Sequence, residues 1–131
     1  MGMDVYANNP IDPENNYFRA NCWGWRPIHE FMGNACSHIY GEELDASMSF
    51  NDGQGIPASQ VEECADVMQK ELDSLKESYP DFIETVTTDE GETVDLFVPF
   101  QDEWKDHYKI PLWRLQDWIH FVRNSGGFAV H

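Results

Sequence analysis

Positive charge is what this chain has least of. Eight Lys and Arg stand against twenty-four Asp and Glu in 131 residues, a formal charge of −16. The field of such a surface repels DNA, RNA and anionic membranes, so direct nucleic-acid binding is not expected. Cysteine is scarce and odd in number: Cys22, Cys36 and Cys64 form neither a C-x-x-C pair nor a zinc-spaced set with histidine. No metal or other cofactor is expected, and a reduced, cytosolic setting suits isolated thiols best. Long apolar runs are missing as well. No window approaches the roughly 18 uninterrupted apolar residues of a membrane span, and Met1 to Tyr6 lacks the basic-then-apolar order of a signal segment. Catalytic signatures are equally thin. There is no nucleophile elbow, the five histidines fall at no recurring ligand spacing, and the Gly-bearing loop Asn51-Asp52-Gly53-Gln54-Gly55 has no P-loop lysine. An enzyme is therefore not the expectation.

What is present is a core. Hydrophobic residues make up 41% of the chain and aromatics 14%, including five Trp and eight Phe, more than a disordered acidic chain carries. The length suits one domain spanning residues 1–131. Met3 to Tyr6 alternates as a short strand. Pro27 suits the first position of a helix whose stripe runs Ile28, Phe31, Met32, Ala35, Cys36, Ile39 and Tyr40 and stops at Gly41. Ser59 and Glu62 have capping-box spacing at the head of a second helix reaching Ser78, with Val61, Cys64, Ala65, Met68, Leu72 and Leu75 on one face. The β-branched runs around Asp89-Glu90-Gly91 predict a hairpin whose second arm turns Val94, Leu96, Val98 and Phe100 to the core. Pro111 opens a third helix carrying Leu112, Leu115, Trp118, Ile119 and Val122, and Phe128 to Val130 closes the order as a strand paired with Met3 to Tyr6. The expected fold is α+β, with three main helices on a small, mostly antiparallel sheet.

Two groups of residues stand out as candidate sites. In Tyr17-Phe18-Arg19-Ala20-Asn21-Cys22-Trp23-Gly24-Trp25-Arg26-Pro27, four aromatics and two of the four arginines fall within eleven residues. Stacked indoles with guanidiniums at either end either roof a core or wall a pocket. A ligand pocket would draw on Arg19, Trp23, Trp25 and Arg26, with Asn51 and Asp52 as polar groups from the Gly-bearing loop. The other group is Glu62, Glu63, Asp66, Glu71 and Asp73, which give the second helix an acidic face suited to a cationic partner. Arg114 and Arg123 lie on the last helix, where they either join the aromatic stretch in a basic patch or pair with acids of the same domain.

The opening Met-Gly-Met-Asp-Val-Tyr, the Tyr17 to Asn21 run with Trp23-Gly24-Trp25-Arg26-Pro27, the Asn51-Asp52-Gly53 loop and the closing Ser125-Gly126-Gly127-Phe128 resemble a family of small uncharacterised proteins from bacteria and their phages. The resemblance covers both ends and the central loop. It implies a bacterial or phage-infected cytosolic setting and singles out Tyr17, Phe18, Arg19, Trp23, Trp25, Arg26, Asn51, Asp52 and Gly53. The cysteine-rich insertion that some members carry before the last helix is replaced here by the hairpin, so no metal role is carried over. The functional expectation is a non-catalytic acidic protein, phage-encoded, that occupies and inhibits a basic host or defence partner handling nucleic acid. The alternatives are a small-ligand or nucleotide-binding protein, or an unrecognised enzyme, built on the Trp, Arg, Asn and Asp pocket, and a homo-oligomeric structural protein.

Overall fold

The computed structural model describes residues 2–50, 52–103 and 107–131. In chain order the elements are β1 (Gly2–Ala7), β2 (Tyr17–Asn21), α1 (Cys22–Tyr40), α2 (Glu42–Ser47), α3 (Ala58–Ser78), a 3-10 turn (Pro80–Phe82), β3 (Ile83–Thr87), β4 (Thr93–Phe97), β5 (Ile110–Pro111), α4 (Leu112–Arg123) and β6 (Phe128–Val130). The α+β class expected from the sequence is the class observed. The strands, however, form two antiparallel three-stranded sheets, β2-β1-β6 and β3-β4-β5, rather than one.

In the first sheet β1 is central. Val5 lies opposite Phe18 on one side and Val130 on the other, and all three are buried. The expected pairing of the first and last strands is therefore present, and β2 is an additional strand. Its alternation is plain in the burial, with Phe18 and Ala20 inside and Tyr17, Arg19 and Asn21 outside, as one half-buried face requires.

Helix α1 begins five residues before Pro27. Asn21 caps it, its side-chain oxygen accepting the Gly24 N–H at 2.8 Å, which satisfies a donor that the first turn leaves unpaired. Pro27 sits inside the helix and gives up one intrahelical bond without ending it. The capping box expected at Ser59 does not form. Helix α3 starts at Ala58 after Pro57, without a side-chain cap, so Ser59 is already within the first turn. In β4 the core contact is made by Phe97, whose ring meets Phe31 edge-on at 5.8 Å and Phe82 at 6.5 Å, while Val94 and Leu96 are only half-buried.

Helix α3 packs against both α1 and α4. At the centre stands Trp118, fully buried, with rings on every side: Trp25 at 5.3 Å, Phe18 at 5.0 Å, Phe128 at 5.2 Å and Phe121 at 5.7 Å. The first three meet it edge-to-face, the arrangement that the ring quadrupoles favour. The aromatic stretch thus packs beside the last helix. Among the described residues no helix is long and apolar enough to cross a membrane.

Candidate functional site: an aromatic cleft and an acidic helix face

Starting α1 at Cys22 has a consequence for the aromatic stretch. Cys22, Trp25, Arg26, His29 and Glu30 recur at three- and four-residue steps and share one helical face, which lines a cleft of about 450 Å³. The opposite wall comes from elsewhere in the chain: Ser49 and Phe50 after α2, and Phe100 and Tyr108 after β4.

Trp25 is 1% exposed and donates its indole N–H to the Met48 carbonyl at 3.0 Å. It is a core residue that shows one edge to the cleft. His29 lies parallel to it at 6.0 Å. The His29 Nε2–H donates to the Asp45 backbone carbonyl at 2.6 Å, since a carbonyl only accepts. Nδ1 then faces the Ser49 hydroxyl at 3.5 Å, and the Asp45 carboxylate stands 3.4 Å from Nε2. The order Ser, His, Asp is that of a hydrolytic relay, but the hydroxyl contact is longer than the roughly 2.6–3.2 Å at which a base activates a nucleophile. The carboxylate already accepts from Tyr40 at 2.6 Å. The arrangement anchors α2 to α1.

Arg26 lays its guanidinium over the Tyr108 ring at 4.9 Å, with Phe100 at 6.0 Å. Among the described residues neither Arg26 nor Glu30 forms an ion pair. Of the described residues singled out for a pocket, then, Trp25 and Arg26 line the cleft, and Arg19, Trp23 and Asp52 do not. Trp23 packs on Tyr108, 5.0 Å ring to ring, and on His107 at 5.6 Å. Arg19 points over the first sheet and pairs with Asp4 at 2.7 Å. Tyr17 also donates to Asp4, and this hydrogen bond, with that from Arg19, holds the Asp4 carboxyl below the usual carboxylate range. Asp52 is exposed in the loop bound to β6, where the Gly53 N–H donates to the Val130 carbonyl at 2.6 Å. Asn51 lies outside the described residues. Cys22, His29, Glu30, Phe50, Phe100 and Tyr108 were not among the sequence candidates for this pocket.

The cysteines differ sharply. Cys22 is exposed at the head of α1, while Cys36 and Cys64 are buried together between α1 and α3, the Cys36 thiol donating to the Cys64 carbonyl at 3.3 Å. The Cys64 side chain hydrogen-bonded to it, and then burial, push the Cys36 thiol up. The native protein should therefore react with a disulfide reagent at one thiol, Cys22, and expose the other two only on unfolding. Two fast thiols in a native titration would contradict the buried arrangement.

On α3 the five acids divide. Glu62, Glu63, Asp66 and Asp73 are exposed. Glu71 is half-buried on the flank, where with Phe31, Leu75, Tyr79 and Phe82 it walls a second cleft of about 320 Å³ between α1 and α3. Glu71 does not belong to the outward face. Asp66 accepts from Arg123 at 2.6 Å, and Asp73 from Gln69 at 3.1 Å. Lys76 pairs with Asp95 and Lys109 with Glu84. Arg114 instead covers the Phe18 ring at 4.1 Å and donates to the Arg19 carbonyl. The four arginines therefore split between acids and aromatic rings. With acids outnumbering bases by twenty-four to eight, such pairing leaves most of the negative charge uncompensated.

Among the described residues no group of three or more His, Cys, Asp and Glu could hold a metal ion. The chain matches no protein-family model, no curated protein and no solved structure.

Proposed function

We propose that this is a non-catalytic binding protein that uses the outward acidic face of α3 to occupy a basic partner, one that ordinarily handles nucleic acid. The observation carrying this reading is the grouping of Glu62, Glu63, Asp66 and Asp73 on the exposed side of a single helix, where, among the described residues, Asp66 alone of the four is in an ion pair. From Glu62 to Asp73 the row spans about 16 Å at helical rise. A row of carboxylates on a rigid helix competes for the groove in which a partner holds phosphates, and steers the encounter from a distance. The resemblance to phage proteins fits a phage-encoded inhibitor of a host defence protein, acting in the bacterial cytoplasm.

The test is a charge-neutral variant carrying Glu62→Gln, Glu63→Gln, Asp66→Asn and Asp73→Asn. Immobilised beside the wild type in host lysate at physiological salt, it should hold the wild type's basic partner about tenfold less well. Duplex DNA should displace that partner from the wild type. Equal capture by both chains, unaffected by DNA, would sink the proposal.

A second reading is favoured by a separate observation. The cleft beside α1 holds a guanidinium with no carboxylate paired to it among the described residues, between aromatic walls, which is the lining of a small-ligand site: mostly apolar, with a few polar groups to orient the occupant.

A further inference from the structure

The geometry points to an aromatic α-amino acid, bound as its zwitterion, as the occupant of this cleft. The inference rests on the second reading, that the cleft is a ligand site.

Arg26 and Glu30 stand one turn apart on α1 and both line the cleft. At that spacing opposite charges on an exposed helix commonly meet, although the order with the cation first is the weaker one. Here they do not meet, because the guanidinium is drawn across to Tyr108 at 4.9 Å by the attraction of a cation for a ring face. A cation and an anion thus face one volume, each without a counter-ion among the described residues.

An α-amino acid carries its carboxylate and ammonium on one carbon, so a single molecule can reach both groups. The planar fork of Arg26 suits the carboxylate, two N–H groups to two oxygens, and Glu30 suits the ammonium. His29 adds an imidazole face, its Nε2–H committed to the Asp45 carbonyl.

The remaining walls select the side chain. Phe50 is 64% exposed at the rim, while the Phe100 and Tyr108 rings lie 5.7 Å apart at 70° within the lining. An aromatic side chain finds edge and face partners there. The volume of about 450 Å³ falls within the roughly 300–1,000 Å³ typical of small-molecule sites.

Charge decides against the nearest competitors. A field set by −16 opposes any anion that approaches, including a nucleotide, whereas a zwitterion enters with no net charge. A purely cationic amine would leave Arg26 facing a like charge.

The experiment is ligand-observed NMR followed by calorimetry on the full chain, with L-tryptophan, L-phenylalanine, indole-3-acetate, tryptamine and a set of nucleotides. Binding by either amino acid below about 1 mM is expected, a range where a specific but weak site lies. Indole-3-acetate and tryptamine, each lacking one charge, should bind at least tenfold more weakly. Arg26→Gln should erase the preference for L-tryptophan over tryptamine, and Glu30→Gln its preference over indole-3-acetate. Melting curves of both variants check that the fold is intact. If indole-3-acetate, tryptamine or a nucleotide binds as tightly as the amino acids, the zwitterion assignment is overturned while the cleft stands as a site. If nothing in the panel binds, both the assignment and the reading beneath it fall.

Discussion

Gly55→Ala should lower the stability of the fold by about 3 kcal/mol or more in urea unfolding, the upper range for overpacking. A Cβ at this position would lie 1.6 Å from the Phe128 carbonyl oxygen, 2.5 Å from its carbon and 2.8 Å from the Ala129 Cα. All three neighbours are backbone, so no side chain can rotate away. Relief requires the loop to part from β6, and three hydrogen bonds hold it there: Gly53 N–H to Val130 at 2.6 Å, Val130 N–H to Gln54 at 2.7 Å and Phe128 N–H to Ile56 at 3.0 Å. Ile56 is fully buried beneath them. Gly91→Ala is the control. That glycine has φ +86° at the hairpin turn with nothing within 4 Å of the added Cβ, so only backbone strain is incurred, about 1–2 kcal/mol. Equal losses for the two variants would show that the loop does not approach β6 as described.

Trp118→Ala is the second large effect. The indole is completely buried and touches rings from α1, β2, β6 and its own helix. Truncation removes the transfer free energy of a large side chain and leaves a cavity whose rigid aromatic walls cannot close, together about 3–5 kcal/mol. Near-UV circular dichroism should weaken with it, since the coupled rings lose their fixed orientation. Trp113, earlier on the same helix, is 61% exposed, and Trp113→Ala should change stability by no more than about 0.5 kcal/mol. If the two substitutions cost the same in denaturant titration, the centre of the core is not at Trp118.

The contrast between these tryptophans was readable from spacing alone. Leu115, Trp118, Ile119 and Val122 step by three and four residues and all are buried, and Trp113 falls off that stripe. The same arithmetic found α3. It failed at α1, where two start signals compete: Pro27 fits a first turn, but Asn21 supplies an oxygen that caps the Gly24 N–H. The side-chain bond won, and with it five further residues became helical. Strand β2 was also present in the pattern, as Phe18 and Ala20 alternating with Tyr17, Arg19 and Asn21, but the same residues also fit an aromatic and cationic pocket wall. The cleft was half legible. Its α1 wall follows from helical periodicity once the helix starts at Cys22, whereas Phe50, Phe100 and Tyr108 reach it through pairings distant in sequence that no local signal encodes. The division into two sheets is of the same kind, since strand partners are chosen by the packed whole. Glu71 left the acidic row for a related reason: its helical angle carries it toward α1 and the aromatic residues at the end of α3.

The central position of β1 sets the order in which its sheet can be completed. Asp4 and His131 exchange both backbone hydrogen bonds, at 2.8 and 2.7 Å, so β1 leaves the ribosome well before its second neighbour, which lies more than a hundred positions further along the chain. Closing a loop of that length carries an entropic cost of about 4 kcal/mol. Until β6 emerges, one edge of β1 stands bare and the Ile56 loop has nothing to lean on. Completion of this sheet thus waits on β6, as for other topologies rich in distant contacts.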